Sequence, residues 1–287
     1  MEEKDFPALY RSADSLSLKS QKHFFRALGV HLSVLIIATL LPLIFSQTSI
    51  SYAIQAVVLL FALGCSIYLA KERPDRYWYA GRAVAESIKT ITWRYISKAE
   101  PFQATDDDIA KSEFRNSLKL IVEQNKEICQ QLTDYLADEQ ITSTMQNNRS
   151  KTLEERKKYY QEHRIKNQLS WYAKKAKFNK DKARMFFWIL IISNIISVIL
   201  AVAKIVYPTT SFPIDVFVAI SASLLSWIQA KRYTELSASY ALTAHEISLI
   251  NEQSLNSRTN EEFSLFVGDA ENAFSREHTQ WVARRDV

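Results

Sequence analysis

Apolar residues are concentrated in four long runs, and polar residues fill most of the remaining chain. The first two runs, residues 29–46 and 51–70, lie inside a stretch (27–70) that contains no Asp, Glu, Lys or Arg. The other two occupy residues 185–203 and 212–230. Each run is close to the roughly 20 residues that an α-helix needs to cross a bilayer core. The short connections predict two transmembrane helical hairpins, with four spans in all.

Outside these runs, apolar residues recur at helical spacing, and no useful stretch alternates as a β-strand does. Only four Gly and six Pro occur among the 287 residues, which is typical of long helices with few tight turns. A mean hydropathy of -0.15 indicates that most of the chain faces water. The sequence therefore predicts an all-α membrane protein, in which long cytoplasmic helices accompany the two hairpins.

Lys and Arg residues flank the four runs at ends that share one side of the membrane. They precede the first and third runs and follow the second and fourth. The tip of the first hairpin (47–50) holds no charge, and the tip of the second has only Lys204 and Asp215 near it. Since cytoplasmic loops retain Lys and Arg, we expect both termini and the middle of the chain to be cytoplasmic. The net charge of +5 then reflects lipid head groups and topology rather than a nucleic acid polymer.

The chain resembles a tandem repeat. Lys19, Lys22 and Arg26 recur as Lys177, Lys180 and Arg184 at a constant offset of 158. In both halves a basic approach leads to a hairpin, a charged exit and an amphipathic helix. The alternative to a repeat is that the two halves match only because any two hairpins whose ends face the cytoplasm have basic flanks. We expect a first two-span unit at residues 1–103, a cytoplasmic helix and linker at 104–150, and a second two-span unit at 151–287.

Residues 106–140 read as one long helix with an apolar seam. Its members recur at spacings of three and four, with a single polar interruption, as in a coiled coil that joins chains. Packing against a neighbouring helix of the same chain would give the same pattern. The seam residues are Phe114, Leu118, Ile121, Asn125, Ile128 and Leu132.

A mixed aromatic and charged stripe follows the first hairpin. On a helix, Tyr79, Arg82, Glu86, Lys89 and Trp93 share one face, and Trp78 lies next to it. Arg82 can pair with Glu86, the tryptophans can stack on a planar group, and the cations can meet an anion. Three interpretations stay open, namely a helix that packs on other cytoplasmic helices, a protein contact, and a binding site for a nucleotide-derived ligand.

Polar residues inside the spans are few. Small and polar side chains permit close helix approach and interhelical hydrogen bonds, and ordinary packing is the alternative to pore lining. The pore-lining candidates are Ser193, Asn194, Ser197, Asp215 and Ser226.

The sequence offers no recognisable catalytic constellation. Cys65 and Cys129 form no metal-binding pattern, and no Ser/His/Asp set, Gly-rich phosphate loop or His/Cys cluster is present. We therefore expect a protein that is not an enzyme and that carries no cofactor and no metal.

A hairpin followed by this stripe resembles the SLATT family, the SMODS- and SLOG-associating two-transmembrane effectors of bacterial conflict systems. The resemblance covers about residues 10–103 and 150–285. In the first half the matching residues are Arg76, Gly81, Arg82, Ala83, Ala85, Glu86, Ser87, Lys89, Trp93, Arg94 and Tyr95. In the second they are Trp171, Tyr172, Lys174, Lys175, Asn179, Lys180, Asp269, Ala270, Glu271, Glu277, His278, Trp281, Arg284 and Arg285.

The resemblance implies a homo-oligomer in the bacterial inner membrane that a nucleotide second messenger triggers to permeabilise the bilayer. The messenger would bind this chain, or a partner synthase or sensor would carry the signal. Two alternatives remain, namely a constitutive channel or scaffold that recruits a cytoplasmic partner through the 106–140 seam, and an enzyme on a membrane anchor.

Overall fold

A computed structural model describes residues 1–45, 48–253 and 257–283, and all regular structure in these ranges is helical. A 3₁₀ turn (Glu3–Asp5) precedes the first α-helix, and a π-helical turn (Gln161–Ile165) joins the seventh to the eighth. The α-helices are α1 Ala8–Ile44, α2 Ser49–Glu72, α3 Pro74–Ser97, α4 Asp107–Gln124, α5 Lys126–Cys129, α6 Ser143–Arg149, α7 Leu153–Tyr160, α8 Lys166–Val206, α9 Ile214–Lys231, α10 Tyr233–Gln253 and α11 Asn260–Ala283.

The predicted spans are confirmed. Four helical stretches are long and apolar enough to cross a membrane, and they contain α1, α2, α8 and α9. Large apolar side chains on them point outward, with Leu60 65%, Val198 62% and Ile205 79% exposed. Such an inverted surface is stable only in lipid, because contiguous apolar patches in water are unfavourable. The protein is therefore an all-α membrane protein with two transmembrane hairpins.

The chain divides into two compact units that cut across its two halves. The membrane unit comprises Lys22–Pro74 and Ala176–Ala238. The polar unit comprises Met1–Gln21, Asp75–Lys175 and the chain from Ser239. Each half of the sequence thus contributes one hairpin to the membrane unit and several helices to the polar unit. The predicted boundaries at residues 103 and 150 stay a prediction about the sequence repeat.

Equivalent helix breaks occur after both hairpins. Arg73 ends α2 and Arg232 ends α9, each in the left-handed conformation, with φ of 41° and 51°. A residue with a Cβ pays about 1–2 kcal/mol for this conformation. In both halves the break is followed at once by the next helix, which starts at Pro74 or Tyr233. The recurrence of the break agrees with the repeat seen in the sequence.

The core of the polar unit is rich in aromatic residues and draws on the whole chain. Burying such side chains supplies the main driving force for its assembly, at roughly 25 cal/mol per Å². Its largest fully buried apolar members are Tyr95, Tyr160, Phe102, Phe114, Phe263, Ile88, Met145, Ile165 and Ile247.

The prediction of one long helix at residues 106–140 is wrong beyond residue 124. There α4 ends, and Asn125 turns its side-chain Nδ2 back to donate to the carbonyl oxygen of Ile121 at 2.9 Å. Asn side chains compete with the helix for backbone partners in this way, which favours helix ends over helix interiors. Asn125 therefore terminates a helix instead of interrupting a seam.

The apolar seam packs within one chain, which was one of the two alternatives. Phe114, Leu118 and Ile121 are 0%, 5% and 9% exposed, and Ile128 and Leu132 are 7% and 5% exposed. All five belong to the core cluster of the polar unit. Their burial leaves them unavailable as an open surface between chains.

Labelling of single cysteines tests the topology. In a variant with Cys65 and Cys129 replaced by Ser, we expect Thr209→Cys at the second hairpin tip to react with a membrane-impermeant maleimide on intact cells. Asn147→Cys in the polar unit should react only after lysis, because the basic flanks predict that this unit lies in the cytoplasm. Both positions are exposed. Labelling of Asn147→Cys on intact cells would contradict the predicted orientation.

Candidate functional site

The stripe of aromatic and charged residues lies on α3. Pro74 starts this helix at a position where a missing N–H costs nothing, and Asp75 favours its positive N-terminal end. Gly81 allows α1 to come close, since a Cβ there would lie 3.1 Å from the carbonyl oxygen of Ala13 and 3.2 Å from the amide of Ser17. The stripe therefore faces a tightly packed neighbour.

Three stripe residues form a chain of charges with α1. The Arg82 guanidinium lies 2.7 Å from the Glu86 carboxylate and 3.5 Å from that of Asp14. The Lys89 ammonium lies 3.8 Å from the same Glu86 oxygen. The Arg82–Glu86 pair that the spacing allows is thus formed. An incoming anion would have to displace two carboxylates to reach Arg82.

Burial shifts the pKa values of this group away from their ordinary range. Burial raises the pKa of Asp14, although Arg82 opposes the shift. Burial likewise lowers the pKa of Lys89 despite the neighbouring Glu86. Burial works against the charged form of Arg82 as well, but Glu86 and Asp14 outweigh it and hold its pKa above the usual value. Charges kept at a desolvation cost of this kind are candidates for a functional role.

The aromatic members of the stripe are placed differently. Trp93 is 2% exposed and packs against Tyr159 and Tyr160, with ring centroids 6.1 and 5.8 Å away. Trp78 and Tyr79 stack on each other at 4.5 Å. The structure therefore places Trp93 in the core and does not combine the three rings into one open platform.

A second charge pair, between α11 and the π-helical turn, was not predicted. Arg164 donates from Nε and Nη2 to the two carboxylate oxygens of Glu271 at 2.8 and 2.6 Å. Tyr160 donates its hydroxyl to the same carboxylate at 2.9 Å. The two charged side chains are 1% and 0% exposed. Burial opposes the charged form of Arg164, but Glu271 outweighs it and raises the pKa of the guanidinium.

This pair connects residues of both halves of the chain. The Arg164 guanidinium lies 6.0 Å from the Trp93 ring centroid and 4.8 Å from that of Phe274. Glu86 adds to the stabilisation of its charge, and Lys89 interacts electrostatically with both Arg164 and Glu271. The polar unit thus holds two ion-pair groups that interact electrostatically, and together we call them the charged network. The groups are Asp14, Arg82, Glu86 and Lys89, and Arg164 with Glu271.

The sequence signal for this second pair was weak. Glu271 is only one of the residues by which the second half resembles the SLATT family. Arg164 belongs to a π-helical turn, which no local sequence pattern predicts. Such turns are rare and often occur at functional positions. Arg284 and Arg285 of that resemblance lie outside the described residues, and so do the side chains of Glu277, His278 and Trp281.

Arg149, near the end of the predicted helix and linker at 104–150, is a further buried cation. Its guanidinium donates to the carbonyl oxygens of Tyr95, Phe102 and Ala104 at 2.7, 3.0 and 2.8 Å. It also contacts the Asp107 carboxylate at 3.1 Å. Arg149 therefore holds the connection between α3 and α4 in place.

The pore-lining candidates separate into two groups. Ser193 accepts a hydrogen bond from Ser221 at 2.9 Å and donates to the carbonyl oxygen of Phe217 at 3.2 Å, so it joins α8 to α9. Ser197 donates to the carbonyl oxygen of Ser193 within α8. The other candidates, Asn194, Asp215 and Ser226, are exposed on the surface of the membrane unit.

Within the described residues, no three His, Cys, Asp or Glu side chains come together as a metal site. The charged network combines carboxylates with Arg and Lys in a closed core. Such an arrangement can hold helices in one register and can respond to a change of charge.

Removing one partner of the buried pair should be far more costly than removing both. We expect Arg164→Met to lower the free energy of unfolding by about 3–5 kcal/mol, because Glu271 then stays buried without its counter-ion. The double variant with Glu271→Leu should recover most of that loss. Unfolding followed by tryptophan fluorescence in detergent measures both.

Lys119→Met is the matched control, since its pair with Glu123 spans 3.8 Å with both side chains exposed. Its effect should stay below about 1 kcal/mol. Equal losses in the single and double variants would show that the two buried charges do not stabilise each other.

Two family models match the chain, one for each half. A model described as SMODS and SLOG-associating 2TM effector domain 3 matches residues 7–157, and one described as SMODS and SLOG-associating 2TM effector domain 1 matches residues 160–281. Comparisons with curated proteins and with solved structures found no match. Each matched segment contains one hairpin and the helices that follow it. The chain therefore belongs to the SLATT family and carries two of its effector domains in tandem.

Proposed function

We propose that this protein is a membrane effector of a bacterial antiphage defence system. On a nucleotide second-messenger signal, its copies assemble through the second hairpin and permeabilise the inner membrane. The family description supports the effector role and the association with SMODS and SLOG proteins. The observation that carries the proposal is a polar face on the outside of the second hairpin.

The geometry of the α8–α9 pair defines this face. Ser193 and Ser221 meet between the two helices. Each helix turns by about 100° per residue. Because α8 and α9 run in opposite directions, the residues after these two serines, Asn194 and Ala222, turn to the same side of the hairpin. Ser226 lies one turn from Ala222 on that side.

Asp215, two turns from Ala222, extends the face towards the hairpin tip. We call Asn194, Asp215, Ala222 and Ser226 the polar hairpin face, and all four are exposed. The opposite side of α8 is apolar, with Ile192 54% and Ile199 60% exposed. Val198 and Ile205 share the Asn194 side of α8 and are 62% and 79% exposed, so this side carries a polar amide among apolar residues, whereas the opposite side is apolar.

Lipid cannot satisfy the amide of Asn194. A buried polar group without a partner costs about 1–3 kcal/mol, whereas Asn and Ser side chains form hydrogen bonds across packed membrane helices. Ser226 donates to Ala222 within its own helix, which leaves a small side chain where another helix can approach. A second copy of this chain supplies both the close partner and the hydrogen bonds.

Repetition of this contact around a ring would bring the polar hairpin faces together about a central axis. These polar side chains would then line a water-filled pathway through the membrane, along which ions can cross. We place both termini and the polar unit in the cytoplasm, where a nucleotide signal or a partner synthase or sensor is available. In this scheme the charged network of the polar unit, with Arg82 and Glu86 at its centre, holds the resting state.

The alternative of a scaffold that recruits its partner through the 106–140 seam has lost its main support, because the seam packs in the core. The exposed polar side chains of Asn194, Asp215 and Ser226 on the membrane unit favour assembly in the membrane instead.

Substitutions on the two faces of α8 test the proposal. We expect Asn194→Leu to reduce triggered depolarisation at least tenfold, because the interhelical hydrogen bonds at the polar hairpin face are lost. Ile192→Leu on the opposite side should behave as wild type. A membrane-potential dye reports the effect in cells that express the protein with and without candidate cyclic nucleotides.

Disulfide capture measures assembly directly. With Cys65 and Cys129 replaced by Ser, Ser226→Cys should form crosslinked species between copies, whereas Ile199→Cys should not. The proposal fails if wild type never depolarises cells, or if Asn194→Leu depolarises them as strongly as wild type does.

A further inference from the structure

The polar unit contains a cavity with a basic wall, away from the charged network. Lys111 and Arg115 on α4, Gln146 on α6 and the segment 139–141 enclose about 390 Å³. Small-molecule sites commonly have volumes of about 300–1,000 Å³. The cavity is therefore large enough for a small ligand.

The lining of the cavity favours an anion. Lys111 and Arg115 are four residues apart, so they project from one face of α4. Within the described part of the chain Arg115 forms no ion pair, and Lys111 reaches Asp108 only at 3.5 Å, where that carboxylate is 93% exposed. A guanidinium presents a planar fork that matches phosphate oxygens, and an ammonium adds a point charge.

The amides of Gln140 and Gln146 add neutral donors to the two cations. Glu139 contributes a carboxylate to the lining, and its negative charge weakens the binding of an anion. The lining thus has two positive charges against one negative charge, in addition to the amides. This composition suits a phosphate or pyrophosphate group.

The same segment caps the first helix. The backbone amide of Ala8 donates to the carbonyl oxygen of Glu139, and that of Leu9 donates to Oε1 of Gln140, both at 3.1 Å. The first amides of a helix have no partner within the helix, so such contacts fix where it starts. From Ala8 the helix α1 continues without a break to Ile44.

Acidic residues just before this segment bind the side of α1. Asp134 accepts from Ser15 at 2.6 Å and from Lys19 at 2.7 Å, and Asp138 pairs with Arg11 at 2.9 Å. We call residues 134–140 the α1 clasp. One end of the clasp lines the cavity, and Asp134, Asp138, Glu139 and Gln140 contact the helix that supplies the first span.

We propose that this cavity binds a small phosphate-bearing ligand through Lys111 and Arg115, and that binding tightens the α1 clasp. Gln140 is the link, because its amide Nε2 can donate to the ligand while Oε1 keeps its bond to Leu9. Binding and capping then favour each other, and such coupling is reciprocal. The role of this site as a trigger rests on the proposed function, whereas its ligand binding does not.

Binding of inorganic pyrophosphate to the purified full-length protein in detergent tests the site. We expect calorimetry to show saturable binding that Arg115→Gln and Lys111→Gln each weaken about tenfold. Glu139→Gln should strengthen binding several-fold, because it removes the opposing charge. Lys119→Gln is the matched control on the same helix, outside the cavity, and should leave the affinity unchanged.

Hydrogen exchange tests the coupling. Saturating pyrophosphate should slow exchange of the amides at residues 8–11 in wild type, and Gln140→Leu should abolish this protection. The proposal is overturned if pyrophosphate does not bind, if Arg115→Gln binds as Lys119→Gln does, or if Gln140→Leu keeps the protection. Since these readouts need no membrane leakage, they stand or fail separately from the effect of Asn194→Leu.

Discussion

The requirement that four segments cross a bilayer as helices governs the rest of this structure. In the hydrocarbon core every backbone amide and carbonyl must find its partner inside its own helix, so each span is continuous and the breaks lie outside. The chain enters and leaves the membrane twice. Its polar unit is consequently assembled from three segments, Met1–Gln21, Asp75–Lys175 and the part from Ser239, which chain connectivity alone does not hold together.

Charged pairs join these segments to each other. Arg82 contacts Asp14 of the first segment, and the pair of Arg164 with Glu271 joins the π-helical turn to α11. Within the middle segment, Arg149 satisfies the backbone carbonyls of Tyr95, Phe102 and Ala104 at the end of α3 and in the α3–α4 connection. A buried pair adds little net stability over an apolar contact, but losing one partner is strongly unfavourable. Such groups therefore specify which helices meet. They also make the core of the polar unit sensitive to any change in charge.

The two proposals use different parts of the molecule and can be joined through α1. The polar hairpin face concerns what copies of the membrane unit do when they meet. The α1 clasp concerns how a phosphate-bearing ligand could be sensed in the polar unit. A switch requires a ligand with different affinity for two states, and a helix capped by its own ligand site is a physical basis for such a difference.

Much of this organisation follows from sequence alone, because hydrophobicity over some 20 residues is a local property. The hairpins, the all-α class and the Arg82–Glu86 pair were predictable from hydrophobic runs and spacing, and the tandem SLATT units from the resemblance of short motifs to that family. The tertiary structure decided what depends on distant residues. In the tertiary structure α4 ends at Asn125 and the apolar seam lies in the core. Arg164 pairs with Glu271, which is 107 positions away in the sequence. Local patterns specify which residues seek burial, but only packing determines which partner each one finds.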